Sequence, residues 1–217
     1  MAMKELLAIL CFSFVIQMQH SLFHSNNNIL PFNGEVILLP GFFPKTESDI
    51  YFNQLLNETQ WKQEPIKIFG KSVMQPRLTA WYADENKNCV YSGIVMKPVA
   101  WTETLLSIKQ KAEKASGFQF NSVLLNQYRN GHDSMGWHRD NEKELGVNPV
   151  IASVSFGATR TFQLRDYKNK KPVQSIELTH GSMLLMKGET QHHWEHQLPK
   201  TKLPKGIRIN LTFRNIL

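Results

Sequence analysis

Metal-binding side chains are concentrated in two short stretches of this sequence. The first, residues 126–146 (NQYRNGHDSMGWHRDNEKELG), contains His138 and Asp140, and the second, residues 191–196 (QHHWEH), contains three histidines. Side chains two positions apart on an extended segment point to the same face, so His138 and Asp140 can bind one cation. One histidine of the second stretch would complete a two-histidine, one-carboxylate set, which non-haem Fe(II) oxygenases use.

Two alternatives stay open for these residues. His-x-Asp pairs are frequent by chance, so this pair also fits a surface loop in which both side chains contact neighbouring charges or solvent. Strand alternation alone does not choose among His192, His193 and His196 as the third ligand.

The segment at residues 208–214 (RINLTFR) alternates polar and apolar side chains. One face carries Arg208, Asn210, Thr212 and Arg214, and the other carries Ile209, Leu211 and Phe213. If a covering layer buries the apolar face, the two guanidinium groups point into the fold and need anionic partners. Arginine binds carboxylates in a bidentate manner, so the pattern predicts a metal bound to a dicarboxylate. An edge strand with both arginines in solvent is the alternative.

The elements that must position these side chains are two helices followed by many strands. Residues 46–60, with Thr46 as a possible N-cap, and residues 101–115, where Thr102 precedes the apolar positions, have helical spacing of apolar side chains. After Phe118 come seven strand candidates: NSVLLNQY, PVIASVSFG, TRTFQLRD, QSIELTHG, SMLLMKG, HHWEHQL and IRINLTFRN. This order predicts a β-sandwich or barrel with the helices packed outside one sheet.

Length and composition indicate one folded domain. The 217 residues are 41% hydrophobic, which excludes a disordered chain, and the net charge of +7 suits a polyanionic partner without proving one. Two cysteines, Cys11 and Cys89, cannot build a disulfide framework, so we expect a reducing compartment.

The N-terminus is expected to be an extension of unclear role. Residues 6–16 are apolar and follow Lys4, as in a signal peptide, but they are too short to span a bilayer and no small-x-small cleavage site follows. We therefore expect residues 1–30 to be dispensable and residues 31–217 to form the domain. A cytoplasmic monomer, nuclear in a eukaryote, without a membrane partner is expected; a signal or anchor is the alternative.

An ordered series of motifs resembles the AlkB family of Fe(II)- and 2-oxoglutarate-dependent nucleic-acid demethylases, especially its small members that repair N-alkylated bases. The resemblance runs from about residue 34 to the last residue through PFNGEVILLPGFF, IFGK, QPRLTAWYAD, NQYRNGHDSMGWHRDNEKELG, IASVSFGATRTFQLR, HGSMLLMKG, HWEHQLP and RINLTFR. It implies an α+β fold, mainly β: a double-stranded β-helix (jelly-roll, cupin-like) with N-terminal helices packed on one sheet and a nucleotide-recognition lid.

The resemblance also implies a ligand set. The family's His-x-x-Pro ending selects His196, with His138 and Asp140, for Fe(II), which leaves His192 and His193 as rim or packing residues. The cosubstrate 2-oxoglutarate would be bound by Asn126, Tyr128, Arg208, Asn210, Thr212 and Arg214. Arg208 with Tyr128 would bind its distal carboxylate, and Arg214 the carboxylate near the metal. His132 and Asp133 become ordinary loop residues.

Residues before the jelly-roll and after the metal motif are assigned to the nucleic acid by the same resemblance. Phe69 matches an aromatic wedge, although a core role is equally compatible with its sequence context. Lys71 and Arg77 would contact phosphate, Tyr82 would line the pocket and Tyr91 would stack on the base. Glu142 would accept a hydrogen bond from the base. The whole implied set is Phe69, Gly70, Lys71, Arg77, Tyr82, Tyr91, Asn141 and Glu142.

The implied reaction consumes 2-oxoglutarate and O2 and removes methyl groups from 1-methyladenine and 3-methylcytosine in DNA, single- or double-stranded, or in RNA. Asn141 stands where some relatives have a second acid, which leaves base and strand preference open. Two alternatives are retained: an oxygenase of the same chemistry acting on a protein or a small molecule, and a non-catalytic nucleic-acid-binding module.

Overall fold

The computed structural model describes residues 28–68, 71–85, 89–91, 94–96 and 99–217; the apolar run at residues 6–16 lies outside them. The helices are α1 (Lys45–Glu58), α2 (Glu103–Ser116) and the single turn α3 (Thr190–His193), with a 3-10 turn at Lys143–Leu145. The strands are β1 (Glu35–Leu39), β2 (Pro65–Ile68), β3 (Lys71–Met74), β4 (Leu78–Ala83), β5 (Cys89–Tyr91), β6 (Ile94–Met96), β7 (Ser122–Tyr128), β8 (Met135–His138), β9 (Ile151–Gly157), β10 (Arg160–Asp166), β11 (Val173–Leu178), β12 (Ser182–Lys187), β13 (Trp194–Leu198) and β14 (Arg208–Arg214). None of the helices in these ranges is long and apolar enough to span a membrane.

Two antiparallel sheets form the body of the domain. The major sheet has the strand order β1-β12-β9-β14-β7-β4, and the minor sheet has the order β11-β10-β13-β8. Strands β2 and β3 form one further two-stranded sheet, and strands β5 and β6 form another. The predicted mainly-β jelly-roll is confirmed, whereas the nucleotide-recognition lid stays a prediction.

The helices cover the outer face of the major sheet, as the sequence predicted. Ile209, Leu211 and Phe213 of β14 are fully buried in one cluster with Leu105 and Ile108 of α2. Burial of each such side chain contributes about 1.5–3 kcal/mol. This packing fixes the face of β14 that points outward, so its polar face must point between the two sheets.

The two helix starts differ from each other. In α2 the Thr102 side chain caps the helix by accepting a hydrogen bond from the Leu105 N–H at 3.2 Å. The expectation for α1 is wrong, because that helix begins at Lys45 with Pro44 at the N-cap. Thr46 therefore lies inside the first turn and does not cap the helix.

The space between the sheets has an apolar and a polar part. Leu164, Leu184, Met186 and Trp194 pack in a buried cluster that joins the two sheets. Beyond this cluster the facing side chains become polar, and a cavity opens between β7, β14 and β13.

Candidate active site

The two histidines of the predicted metal set face each other across paired strands. His138 ends β8 and is directly opposite His196 of β13, and their ring centroids are 4.2 Å apart. His192 and His193 belong to α3, before β13 begins, and do not line the cavity. The cross-strand register therefore brings His196, and not its two neighbours, to His138.

Asp140 lies two residues beyond β8 and is buried. Its Oδ2 accepts a hydrogen bond from Arg214 Nη2 at 2.8 Å, and its N–H donates to Gln191 Oε1 at 2.9 Å. One donor atom of each of His138, Asp140 and His196 lies within 4.8 Å of the other two. This triangle of two imidazoles and a carboxylate has the composition of a non-haem Fe(II) site.

The protonation states of these groups suit a metal. Burial alone would raise the pKa of Asp140, but Arg214, His196 and His138 outweigh it and hold that pKa well below its usual range. Burial lowers the pKa of His196 to about 3. At neutral pH the carboxylate is thus anionic and His196 is neutral, which are the forms that bind metal ions.

The tautomer of His138 also leaves one nitrogen for a metal. His138 Nδ1 lies 2.8 Å from the Gly136 carbonyl oxygen, which can only accept a hydrogen bond. Nδ1 therefore carries a proton and donates it, and in the neutral ring Nε2 is the nitrogen with the lone pair that can bind a metal. Metal-ligating histidines are commonly oriented by such a bond from the second ring nitrogen.

A cavity that is partly open to solvent adjoins these three side chains. All six residues predicted for the cosubstrate line it: Asn126, Tyr128, Arg208, Asn210, Thr212 and Arg214. Apolar lining comes from Leu124, Met135, Phe162, Met186 and Leu198. The sequence thus named the polar lining except Ser153, and it named none of these apolar side chains.

Arg208 is the cation at one end of the cavity. Its Nη2 donates to Ser155 Oγ at 2.9 Å, and its guanidinium carbon lies 5.3 Å from the centre of the Tyr128 ring. Burial lowers its pKa to about 10, so it is still charged at neutral pH. Its Nε is buried and has no hydrogen-bond partner among the described residues. A buried, incompletely bonded guanidinium is costly, and a carboxylate ligand would satisfy it.

The amide and hydroxyl groups of the cavity form a preorganised network. Asn210 Nδ2 donates to Ser153 Oγ at 2.8 Å and to the Val154 carbonyl at 3.0 Å, and Thr212 Oγ1 donates to Asn210 Oδ1 at 3.1 Å. These bonds fix the polar wall between Arg208 and the metal-binding side chains. The residues present fit Fe(II) and a dicarboxylate.

Arg214 has a second role that the sequence did not suggest. The resemblance assigned it to the carboxylate of 2-oxoglutarate near the metal, and it does line the cavity. The structure also pairs it with Asp140, so it directly supports a candidate metal ligand. This contact could not be inferred from spacing, because 74 residues separate the two side chains.

The residues predicted to contact the nucleic acid are only partly described. Phe69 and Gly70 lie outside the described residues, and Tyr91 is placed on β5 without a described side chain. Lys71 is exposed on β3, and Asn141 and Glu142 are exposed directly after Asp140. These three positions are accessible to a substrate, and their roles stay predictions.

Two expectations for the substrate site are wrong in the structure. Tyr82 is paired with Val123 and packs in the core under the helices, on the face of the major sheet away from the cavity. Arg77 is only 3% exposed and its Nε donates to Asn126 Oδ1 at 2.8 Å, so it supports the cavity from behind and is not placed to contact a phosphate.

Sequence reasoning missed Arg160 and misjudged Asp133. Arg160 is 2% exposed and donates hydrogen bonds to the carbonyl oxygens of Asn130, Asp133 and Pro199 at 2.8–3.0 Å. Asp133 is also buried and binds the Arg129 guanidinium through both carboxylate oxygens. Residues 129–134 are therefore not an ordinary loop. They form a segment before β8 that is held by buried hydrogen bonds and an ion pair. An arginine at the first position of a strand gives no signal of this role.

Comparisons with known proteins agree with this geometry. Residues 35–214 match the family model of the 2OG-Fe(II) oxygenase superfamily. The chain is 44% identical over 191 residues to alpha-ketoglutarate-dependent dioxygenase alkB homolog 3 of Bos taurus, over 83% of this chain and 66% of that protein. It is 39% identical over 185 residues to DNA oxidative demethylase ALKBH2 of Mus musculus, over 81% and 77% of the two chains. The chain thus spans slightly less than two thirds of the length of the alkB homolog 3 relative.

Two solved structures share the fold. The structure of OsALKBH1 superimposes with a TM-score of 0.61 at 19% identity, over 83% of this chain and 97% of that one. A prolyl hydroxylase of Trichoplax adhaerens, in complex with a hypoxia inducible factor oxygen degradation domain peptide fragment, gives a TM-score of 0.61 at 14% identity, over 92% of each chain.

Proposed function

We propose that this chain, which belongs to the AlkB family of 2OG-Fe(II) oxygenases, is an Fe(II)- and 2-oxoglutarate-dependent dioxygenase that removes methyl groups from N-alkylated bases in nucleic acid. One observation carries the proposal: His138, Asp140 and His196 converge beside a cavity whose far end holds the incompletely bonded Arg208. Iron bound by the two histidines and Asp140, and a dicarboxylate bound by Arg208, would satisfy both parts of the cavity.

The substrates we propose are 1-methyladenine and 3-methylcytosine in DNA, and in RNA as a further candidate. The support is the identity of about 40% to relatives named as DNA oxidative demethylases, together with the net charge of +7, which suits a polyanion. The cavity lies between two sheets, so a base within a duplex cannot reach it. The target base must therefore be in a single strand or be flipped out of the helix.

The residues of this chain hold and orient the reactants. His138, Asp140 and His196 would bind Fe(II), and Arg208 with Tyr128 would hold the distal carboxylate of 2-oxoglutarate. Bound iron, with 2-oxoglutarate and O2, supplies the oxidation of the N-methyl carbon, which leaves as formaldehyde while succinate and CO2 are released. The apolar lining side chains, such as Met186 and Phe162, would limit the access of water to the bound reactants.

Asn141 and Glu142 are the residues that we propose contact the base. Both are exposed and follow the metal ligand Asp140 directly, so a base presented to the metal passes beside them. Glu142 can accept a hydrogen bond from the exocyclic amine of adenine or cytosine. Lys71 is exposed on β3 and is the described cation that we assign to a phosphate.

The test supplies Fe(II), 2-oxoglutarate and a methylated oligonucleotide to the purified chain and measures formaldehyde and the repaired base. Four substrates are compared: single- and double-stranded DNA, RNA, and an unmodified control strand. Asp140→Ala should abolish turnover and leave nucleic-acid binding largely intact. Equal activity of that variant would show that the metal assignment is wrong.

The same assay separates the alternatives. Succinate release without formaldehyde from any methylated strand would support an oxygenase with a protein or small-molecule substrate. Nucleic-acid binding with no 2-oxoglutarate turnover would support a binding module. We also propose that the enzyme is a monomer of the cytoplasm, or of the nucleus in a eukaryote, which light scattering and cell fractionation can check.

A further inference from the structure

Gln191 is a completely buried amide that joins the segments carrying two of the metal ligands. It lies in α3, five residues before His196, and its Oε1 accepts the hydrogen bond from the Asp140 N–H at 2.9 Å. Its Nε2 lies 3.8 Å from the Met186 sulfur, which also lines the cavity. Both ends of the amide are therefore directed at the site.

The three ligands differ in how their backbones are held. His138 and His196 are on paired strands, where the ladder of the minor sheet fixes them. Asp140 comes after β8 has ended and has no strand partner. Its N–H is bonded to the Gln191 side chain in place of a neighbouring strand, and its carboxylate is bonded to Arg214. The Gln191 side chain thus fixes the backbone of Asp140, as the strand hydrogen bonds fix the backbones of His138 and His196.

The backbone of Gln191 is itself fixed. The preceding residue, Thr190, is buried; its Oγ1 accepts from the Glu35 N–H at 2.9 Å and donates to the Lys187 carbonyl at 2.6 Å. Gly34 lies so close that an added Cβ would be 2.7 Å from the Thr190 Cα. A rigid α3 can therefore transmit its position to Asp140 through one side-chain hydrogen bond.

We propose that Gln191 is a positioning residue for the metal ligand Asp140 and that it sets the metal affinity of the site. The inference rests on the proposed Fe(II) site but not on the identity of the substrate. Groups that hydrogen-bond to metal ligands commonly change metal affinity by about 10–100-fold when they are removed. Replacement of Gln191 removes the hydrogen bond to the Asp140 N–H, whereas the hydrogen bond from Arg214 to the Asp140 carboxylate remains.

The test measures Mn(II) binding to the full chain by the electron paramagnetic resonance signal of the free ion, with thermal unfolding in the absence of metal. Gln191→Met keeps the length and the unbranched shape of the side chain and removes the acceptor. The matched control is Gln197→Met, because Gln197 is next to His196 on β13 and donates to Gln163 Oε1 at 2.7 Å on the other face of the sheet. A structural role alone would lower the unfolding temperature and leave the Mn(II) dissociation constant unchanged.

We expect Gln191→Met to raise the Mn(II) dissociation constant by about 10–100-fold and Gln197→Met to change it less than about twofold. If Gln191→Met does not fold, Gln191→Asn keeps a polar amide but is one methylene too short for the 2.9 Å bond, and it should weaken Mn(II) binding in the same direction. Wild-type affinity in a folded variant at position 191 overturns the inference. Absence of Mn(II) binding to the wild-type chain would instead overturn the proposed metal site.

Discussion

Replacing Arg160 by methionine should destabilise the fold more than any change to the exposed charges around it. The Arg160 guanidinium is buried and donates three hydrogen bonds to main-chain carbonyls: those of Asn130 and Asp133 before β8, and that of Pro199 after β13. It therefore ties together the two chain segments that flank the strands of His138 and His196. Methionine occupies a similar length but can donate none of these bonds.

The magnitude follows from those contacts. A hydrogen bond to a charged group contributes about 1.5–3 kcal/mol, so three such bonds set an upper range of about 5–9 kcal/mol. The cost of burying the guanidinium, which also lowers its pKa, is regained when the charge is removed. The three carbonyl groups left without a partner would lower the free energy of unfolding, and burial of the apolar methionine side chain would partly restore it. We expect a loss of about 3–5 kcal/mol in the free energy of unfolding.

Urea denaturation followed by tryptophan fluorescence measures this loss. With a slope of about 2–3 kcal/mol per molar urea, the midpoint should fall by about 1–2 M. Arg129→Met is the control, because Arg129 binds the same Asp133 but its side chain is 41% exposed. We expect that variant to lose only about 1 kcal/mol. Equal losses in the two variants would refute the role assigned to the three carbonyl contacts of Arg160.

The remaining predictions concern the cosubstrate, the substrate and pH. Arg208→Met should raise the KM for 2-oxoglutarate by about tenfold to a hundredfold, since the lost bonds to a carboxylate contribute about 1.5–3 kcal/mol; an unchanged KM in steady-state assays would place the dicarboxylate elsewhere. Phe69→Ala should reduce repair of duplex DNA more than repair of a single strand, whereas a uniform loss would indicate a core role. Burial, and then the Glu47 carboxylate, raise the pKa of Tyr51 to about 12 from 10.0. The stability that neutral Tyr51 contributes is therefore fully present below pH 10 and is lost as the pH rises towards 12, so Tyr51→Phe should flatten this part of the stability curve; identical curves would show that the shift is absent.

Local pattern indicated the metal pair and the two faces of the last strand, although a surface loop and an edge strand stayed open as alternatives. Side chains alternate along any extended segment, so the positions of His138 and Asp140, and of Arg208 relative to Leu211, follow from spacing alone. The resemblance to a known family supplied the third ligand and the cosubstrate set. Helix positions could be predicted to within about two residues, because the periodicity of apolar side chains is also a local signal.

Which face of a strand meets the cavity was decided only by the tertiary structure. Tyr82 and Trp81 are equivalent in pattern, yet pairing of β4 with β7 places Trp81 beside the cavity-lining Leu124 and Tyr82 on the opposite face, in the core under the helices. The same pairing brings Arg77, directly before β4, to its hydrogen-bond partner Asn126 on β7. The two residues are 49 positions apart in the sequence, so local pattern could not predict this contact.

The supports of the site were also beyond the reach of the sequence. Arg160 and Gln191 act through hydrogen bonds to groups that lie 27 to 51 residues away along the chain. A polar side chain on a strand or turn has the same local pattern whether it faces solvent or a buried carbonyl. The sequence by itself indicated the candidate residues for iron and a dicarboxylate, because side-chain chemistry, alternation and the motifs shared with a known family can all be recognised along the chain. Only the register of the strands and the packing of the two sheets decided which polar groups hold them in place.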